Sequence, residues 1–217
     1  MNCMKYELII FDLDGTILDT LEDLADATNY SLRKNGQKER SLDEVRAFVG
    51  NGIKNLMKSA AEDGSDDVVI DRLFNDFMPY YRQHCADKTK PYAGIQKLLD
   101  SLKDRGLRLA VVSNKADSAV QALCEKYFEG IFDISVGERA GILKKPAPDS
   151  VNEVLCRLNI SREKSIYIGD SEVDIETARN AGMESIIVTW GFREENFLRS
   201  RGAVNIANTP DEIEKFL

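Results

Sequence analysis

Five short segments rich in apolar residues recur along this chain, and polar residues follow closely after most of them. They are residues 8–11, 107–112, 131–136, 166–168 and 185–188. Strands that are apolar on both sides lie between layers of helices, as in a parallel sheet. The intervening segments have the apolar spacing of amphipathic helices, as at Ile95, Leu98, Leu99 and Leu102. The alternation predicts an α/β fold with a doubly wound parallel sheet.

Residues 17–88 interrupt this alternation, because helical spacing dominates there and no convincing strand appears. Ser41 and Glu44 fit a capping box at the start of one helix. Pro79 is expected to kink or break the last helix of the segment. We therefore expect two domains: an α/β core of residues 1–16 and 89–217, and a helical domain of residues 17–88 inserted after the first strand.

Composition limits the partners of the protein. The 217 residues include 29 basic and 37 acidic side chains, a net charge of −8, which disfavours binding to nucleic acid or to an anionic membrane. No signal peptide is recognisable, and no apolar run approaches 18 residues. The cysteines, scattered without a C-x-x-C pair, are expected to be buried free thiols of a cytoplasmic protein; they are Cys3, Cys85, Cys124 and Cys156. Monomer and homodimer both remain open.

Four polar clusters follow predicted strands. They are Asp12-Leu13-Asp14-Gly15-Thr16, Ser113-Asn114-Lys115, residues 144–148 and residues 169–174. Ligands of an open parallel sheet bind beyond the carboxyl ends of its strands. Acidic residues that converge there repel one another unless a cation lies between them, and oxygen ligands favour Mg²⁺.

Asp12-Leu13-Asp14-Gly15-Thr16 resembles the first motif of the haloacid dehalogenase-like superfamily. Ser113, Lys145 and the Asp170/Asp174 pair are similar to its second, third and fourth motifs, in that order. The D-x-D pattern alone is weak evidence, whereas four ordered motifs are strong. The resemblance implies a Rossmann-like core with a helical C1 cap, which corresponds to residues 17–88.

The resemblance also implies roles for individual residues. Asp12 would attack phosphorus, and Asp14 would act as general acid and then general base. Mg²⁺ would be held by a carboxylate oxygen of Asp12, the backbone carbonyl of Asp14 and a carboxylate oxygen of Asp170. Phosphate oxygens would be contacted by the Ser113 hydroxyl and the Lys145 ammonium group. The remaining implied residues are Asp174, sharing a helix face with Asp170 and orienting Lys145 or a metal-bound water, and the secondary substrate contacts Thr16 and Asn114.

Each of these residues has an ordinary structural alternative. Alone, the acids could cap helices, Ser113-Asn114 could form a turn, and Lys145 could be a solvated loop residue. Gly50-Asn51-Gly52 is a helix–helix turn or, by resemblance, the substrate-specificity loop of the cap. We expect no catalytic role for the remaining candidates, which are His84 (structural or exposed), Trp190 (core or rim packing) and Arg193-Glu194-Glu195 (a solvated face).

The motif variants favour one reaction of the superfamily. Haloacid dehalogenases and phosphonatases lack the second acid that Asp14 supplies, and β-phosphoglucomutases have a histidine where this chain has Leu24. Phe48-Val49-Gly50-Asn51-Gly52 and Thr189-Trp190-Gly191 are similar to phosphoglycolate phosphatases. The prediction is a Mg²⁺-dependent phosphatase of small organic phosphates. Pyrophosphate, nucleoside monophosphates and sugar phosphates are alternative substrates, and a non-catalytic phospho-ligand binding protein is the alternative class.

Overall fold

The computed structural model describes residues 5–217, so Cys3 lies outside the described residues. Its strands are β1 (Leu8–Phe11), β2 (Leu18–Asp19), β3 (Lys90–Pro91), β4 (Arg108–Ala116), β5 (Ile134–Glu138), β6 (Ser165–Gly169), β7 (Glu184–Val188) and β8 (Asn205–Ala207). Its α-helices are α1 (Leu21–Lys34), α2 (Leu42–Phe48), α3 (Ile53–Ala60), α4 (Asp67–His84), α5 (Ile95–Asp104), α6 (Asp117–Phe128), α7 (Asp149–Leu158), α8 (Glu172–Ala181), α9 (Glu195–Ser200) and α10 (Pro210–Ile213). Within this part of the chain, no helix is long and apolar enough to cross a membrane.

Six strands form one parallel sheet in the order β5-β4-β1-β6-β7-β8, which confirms the predicted α/β fold. β1 is buried at every position because it lies between β4 and β6. The chain builds outward from β1 to β5 and then crosses to β6, so the order reverses between β1 and β6. That switch point is where open α/β sheets bind their ligands.

Some strands differ from the predicted pattern. β4 continues to Ala116, so Ser113 and Asn114 lie within the strand and not after it. Its register with β5 shifts between Val112 and Ala116, where the strand passes through the polar cluster. β2, β3 and β8 were not predicted, because two or three residues are too few to give a period-2 signal.

Contacts divide the chain into two compact units. One comprises the chain up to Leu18 together with Pro91–Leu217, and the other comprises Asp19–Lys90. The second unit contains α1 to α4, and the capping box forms there as expected, because the Ser41 hydroxyl accepts from the amide of Glu44 and the Glu44 carboxylate accepts from the amide of Ser41. These units differ by two residues from the expected bounds, and their assignment as core and cap domains stays a proposal.

Pro79 does not break α4, contrary to one of the two expected outcomes. The helix runs from Asp67 to His84 with the proline inside it. The rings of Tyr30 and Tyr80 stack at 4.1 Å, and those of Tyr80 and His84 stack at 4.3 Å. The buried residues Phe77 and Tyr81 lie on either side of the proline, so the packed face of α4 continues past it although proline donates no hydrogen bond.

The cysteine expectation is correct for two thiols and wrong for one. Cys85 and Cys124 are free and buried, whereas Cys156 is free and exposed. Cys156 falls between the buried Val154–Leu155 pair and the polar face of α7, so its helical position directs it outward.

The two thiols Cys124 and Cys156 should therefore differ in reactivity. Burial raises the pKa of the Cys124 thiol to about 11, and its reactive thiolate is scarce near neutral pH. We expect iodoacetamide to label Cys156 rapidly in the native protein and Cys124 only after denaturation, as followed by peptide mass spectrometry. Equal native labelling rates at the two residues would contradict the burial of Cys124.

Candidate active site

Asp12 and the turn after it form the first wall of the site. The amide of Asp12 donates to the carbonyl of Ile168 at 2.8 Å, which holds Asp12 at the switch point beside β6. The chain then turns tightly, because the carbonyl of Leu13 accepts from the amides of residues 16, 17 and 18. Gly15 has a φ of 88°, a conformation that glycine adopts without strain. The Asp12 side chain is thereby fixed at the carboxyl edge of the sheet.

Lys145 lies at the centre of a buried ionic network. Its Nζ is 2.7 Å from Oδ1 of Asp12, 2.8 Å from Oδ1 of Asp174 and 3.1 Å from the Tyr167 hydroxyl. Its side chain is 4% exposed. Although burial alone would lower it, the charges of Asp12 and Asp174 hold the pKa of Lys145 well above its usual value. The ammonium group therefore remains charged beside Asp12.

Asp174 is saturated with hydrogen bonds. Its Oδ1 accepts from Lys145 and Tyr167, and its Oδ2 accepts from the amides of Asp170 and Ser171 and from the Ser171 hydroxyl. Asp170 precedes α8, so the two acids do not share a helix face, contrary to expectation. They meet because Asp174, in the first turn of α8, folds back onto the amides before it. This saturation favours an orienting role for Asp174.

Asp170 is held from two directions. Its Oδ1 accepts from the Thr16 hydroxyl at 3.2 Å, and its Oδ2 accepts from the amide of Phe192 at 2.7 Å. Gly15 and Gly191 pack directly against this carboxylate, and a Cβ at either position would overlap it. Both turns thus approach Asp170 through a glycine that has no side chain, and a larger residue at either position would displace the Asp170 carboxylate.

Asp12, Asp170 and Asp174 form a carboxylate cluster that could hold a metal ion. One carboxylate oxygen from each lies within 4.8 Å of the others, and all three residues are buried. Burial raises the pKa of Asp12 to about 7, with the charges of Asp174 and Asp14 adding to the rise and Lys145 opposing it. Burial also raises the pKa of Asp170 well above its usual value, with Asp174 and Asp12 adding to the rise. When all three acids are ionised, the cluster has more negative charge than Lys145 alone balances, and hard oxygen donors of this kind fit Mg²⁺.

Asp14 lies two residues after Asp12 and is paired with Lys115. The Nζ of Lys115 is 2.8 Å from Oδ1 of Asp14, and the Lys115 side chain is 2% exposed. Asp14 remains 16% exposed at its side chain. The lysine fixes one carboxylate oxygen of Asp14, and part of this side chain remains accessible to solvent.

Ser113 and Asn114 lie near the carboxyl end of β4, where the strand borders the site. The Ser113 hydroxyl accepts from the amide of Lys115 at 3.2 Å, which orients it. The Asn114 amide group donates to the carbonyl of Lys145 at 3.0 Å, so Asn114 helps to position the third motif. The roles of Ser113 and Asn114 toward a substrate stay predictions.

Gly50, Asn51, Gly52 and His84 belong to the helical unit. The glycines have φ values of 124° and 82° and form the turn between α2 and α3. This turn is the helix–helix turn that was one of the two expectations for residues 50–52. The other expectation, a substrate-specificity loop, stays a prediction. His84 is part of the aromatic stack and lies 2.8 Å from the carboxylate of Asp87.

Sequence reasoning assigned no role to several residues of the site. Lys115 could have been found, because in an extended strand it lies on the same side as Ser113. Tyr167 could not have been recognised, because it lies between two isoleucines in a buried apolar strand. Arg193 was expected to be solvated, which is wrong: it is 11% exposed and 2.9 Å from the carboxylate of Glu172. Trp190 was expected only to pack, yet its Nε1 donates to the carbonyl of Thr16 at 2.9 Å.

Residues 9–188 match the sequence model of the haloacid dehalogenase-like hydrolase family. The chain therefore belongs to that family. The phosphoglycolate phosphatase of Aquifex aeolicus is 32% identical over 194 residues, 87% of each chain. That of Agrobacterium fabrum is 33% identical over 222 residues, 97% of this chain and 94% of the relative.

A solved structure is similar over nearly the whole chain. It is a crystal structure assigned as a phosphoglycolate phosphatase from Lactobacillus delbrueckii subsp. bulgaricus, 40% identical, with a TM-score of 0.94 and 98% of each chain covered. Family and relatives together place the chain among the enzymes, as a phosphatase.

Proposed function

We propose that the protein hydrolyses small phosphomonoesters with Mg²⁺ through a phosphoryl group carried by Asp12. The observation that carries this proposal is the buried contact of Asp12 with Lys145 at the switch point, beside a second buried acid, Asp170. A carboxylate nucleophile needs a fixed position and nearby positive charge, because the phosphate that it attacks is itself negative.

In the first step a carboxylate oxygen of Asp12 forms a bond to phosphorus, and the bond from phosphorus to the ester oxygen breaks. Asp14 gives its proton to that oxygen, so the alcohol leaves neutral. Lys145 and Ser113 stabilise the charge that gathers on the non-bridging oxygens. The products of this step are the alcohol and an aspartyl-phosphate at Asp12.

In the second step water attacks the phosphorus, and Asp14 now takes the proton of that water. The bond between phosphorus and Asp12 breaks, which releases inorganic phosphate and restores the carboxylate. The pairing of Asp14 with Lys115 keeps the same group in place for both proton transfers, since the lysine holds one oxygen at 2.8 Å.

Mg²⁺ would be held by Asp12, the backbone carbonyl of Asp14 and Asp170, and it supplies positive charge that offsets the repulsion between Asp12 and the phosphate. The side chain of Asp174, whose oxygens already accept five hydrogen bonds, would orient Lys145. Thr16 would orient Asp170, since its hydroxyl donates to that carboxylate.

The first substrate to test is 2-phosphoglycolate, because the relatives named above are phosphoglycolate phosphatases. The helical unit would act as the cap domain, and its Gly50-Asn51-Gly52 turn would contact the substrate. The composition and the scattered cysteines support a cytoplasmic enzyme that acts without nucleic-acid or membrane partners.

A substrate panel with and without Mg²⁺ tests the proposal. It would contain 2-phosphoglycolate, pyrophosphate, a nucleoside monophosphate and a sugar phosphate, with phosphate release as the readout. We expect turnover to stop in EDTA and to return with Mg²⁺. A panel without turnover, combined with tight binding of a phosphate ester, would favour the alternative of a phospho-ligand binding protein.

Affinity for Mg²⁺ should depend on pH. Burial raises the pKa of Asp12 to about 7 and that of Asp170 well above its usual value, so protons compete with a cation for both carboxylates. Affinity should therefore rise with pH, by about tenfold per unit for each displaced proton, and more steeply below about pH 7. Thermal-shift titrations with MgCl₂ at several pH values measure this, and an affinity independent of pH would contradict it. In Asp12→Asn the steeper part should disappear.

A further inference from the structure

The loop after β7, residues 189–193, lies against both the turn after β1 and Asp170. We call it the β7 loop. We propose that the β7 loop is a positioning element for Asp170, and that Trp190 fastens it in place. The inference rests on the proposed function, since it concerns how firmly this chain holds Mg²⁺.

The first contact joins Trp190 to the turn after β1. The indole Nε1 donates to the carbonyl of Thr16 at 2.9 Å, across 174 residues of sequence. The hydroxyl of the same Thr16 donates to Oδ1 of Asp170 at 3.2 Å. The indole therefore fixes the backbone of the residue whose side chain orients Asp170.

The second contact comes from the loop backbone. The amide of Phe192 donates to Oδ2 of Asp170 at 2.7 Å. Gly191 allows this approach, because a Cβ there would overlap both Asp170 and the carbonyl of Gly15. The two oxygens of Asp170 are thus each held by one donor, from two different loops. Each carboxylate oxygen can accept more than one bond, so the lone pairs that remain can face a cation in a fixed direction.

The third contact secures the far end of the loop. Nε of Arg193 is 2.9 Å from Oε2 of Glu172, the first residue of α8, and Arg193 is largely buried. The β7 loop is therefore attached at one end to the turn after β1 and at the other to the helix that follows Asp170. Loss of either attachment should let the Phe192 amide move away from Asp170.

Trp190→Phe tests the fastening contact, because it keeps an aromatic ring and removes the N–H donor. The matched control is Ser31→Ala, which removes a buried hydrogen bond of 2.7 Å to the Leu73 carbonyl in the helical unit. Two quantities are measured: the Mg²⁺ dissociation constant by thermal-shift titration with MgCl₂, and the Mg²⁺ concentration for half-maximal turnover.

We expect Mg²⁺ binding to weaken about tenfold in Trp190→Phe, as is typical when a partner of a ligating residue is lost. At saturating Mg²⁺ its kcat should stay close to the wild-type value. Ser31→Ala should lose stability without a change in either Mg²⁺ quantity. Equal losses of stability in the two variants, with unchanged Mg²⁺ affinity in both, would overturn the inference.

Arg193→Lys is the second variant, and it carries the test if Trp190→Phe does not fold. It retains the positive charge near Asp170, so weaker Mg²⁺ binding would report the lost attachment and not altered electrostatics. Unchanged Mg²⁺ affinity in Arg193→Lys would count against the loop as a positioning element. If the wild type hydrolyses no phosphate ester, the proposed function is refuted. If Trp190→Phe nevertheless binds Mg²⁺ more weakly than that wild type, the inference about the β7 loop is supported.

Discussion

Asp12→Asn is expected to lower kcat by about 10⁴-fold or more, because an amide of nearly the same shape cannot serve as the nucleophile. The variant should nevertheless fold. Burial raises the pKa of Asp12 to about 7, so the ionised carboxylate is unfavourable in the metal-free protein. Removing that charge should leave the thermal stability in EDTA equal to that of the wild type, or above it. Phosphate release and thermal denaturation measure the two effects.

Asp100→Asn is a suitable control for the same chemical change, because Asp100 is exposed on α5 and contacts Gln96. It should leave turnover and stability unchanged. Near-normal turnover in Asp12→Asn would exclude the covalent mechanism.

Lys145→Met is expected to have the largest effect on stability. It leaves Asp12 and Asp174 buried without the cation that lies 2.7 and 2.8 Å from them. Loss of one member of a buried ion pair costs about 3–5 kcal/mol of unfolding free energy. The variant should also lose about 10²–10³-fold in kcat, since it lacks the proposed donor to the developing phosphate charge. Urea denaturation and steady-state kinetics provide the measurements.

The pH dependence of Lys145→Met distinguishes charge from packing. The pKa of Asp12 is already raised to about 7 in the wild type, where Lys145 opposes the rise, and it should rise further without the lysine. Asp12 of the variant therefore takes up a proton more readily as the pH falls, which reduces the uncompensated charge. The stability difference from the wild type should therefore shrink on acidification. Lys97→Met, which removes an exposed pair with Asp211, should show no such difference. If the loss of unfolding free energy in Lys145→Met were the same at every pH, it would indicate lost packing and not an uncompensated charge.

Local patterns account for the parts of the fold that the sequence predicts. The apolar run of β1 and the Ser41–Glu44 capping box depend on neighbours within four residues, so they are readable without tertiary information. α4 continues through Pro79 while it packs against α1, where the rings of Tyr30 and Tyr80 stack. That contact links two helices, and no pattern within α4 reports it.

The same distinction applies to the candidate site. The motifs are local, and their convergence follows from the rule that parallel strands end at one edge. The structure brings Asp12 and Asp170 together as that rule implies. The contact of Trp190 with Thr16 joins residues 174 positions apart, and it arises from a loop whose path the sequence does not specify. Saturation of Asp174 likewise depends on the buried hydroxyl of Tyr167, which an apolar strand pattern hides.

Chemical trapping on Asp12 tests the central claim most directly. Rapid acid quench during turnover, followed by borohydride reduction, converts an aspartyl-phosphate to homoserine, and peptide mass spectrometry locates the modified residue. We predict homoserine at position 12 in the wild type with substrate and Mg²⁺, and none in EDTA or in Asp12→Asn. Homoserine at another acid, or sustained turnover with no modified aspartate at any quench time, would contradict the account.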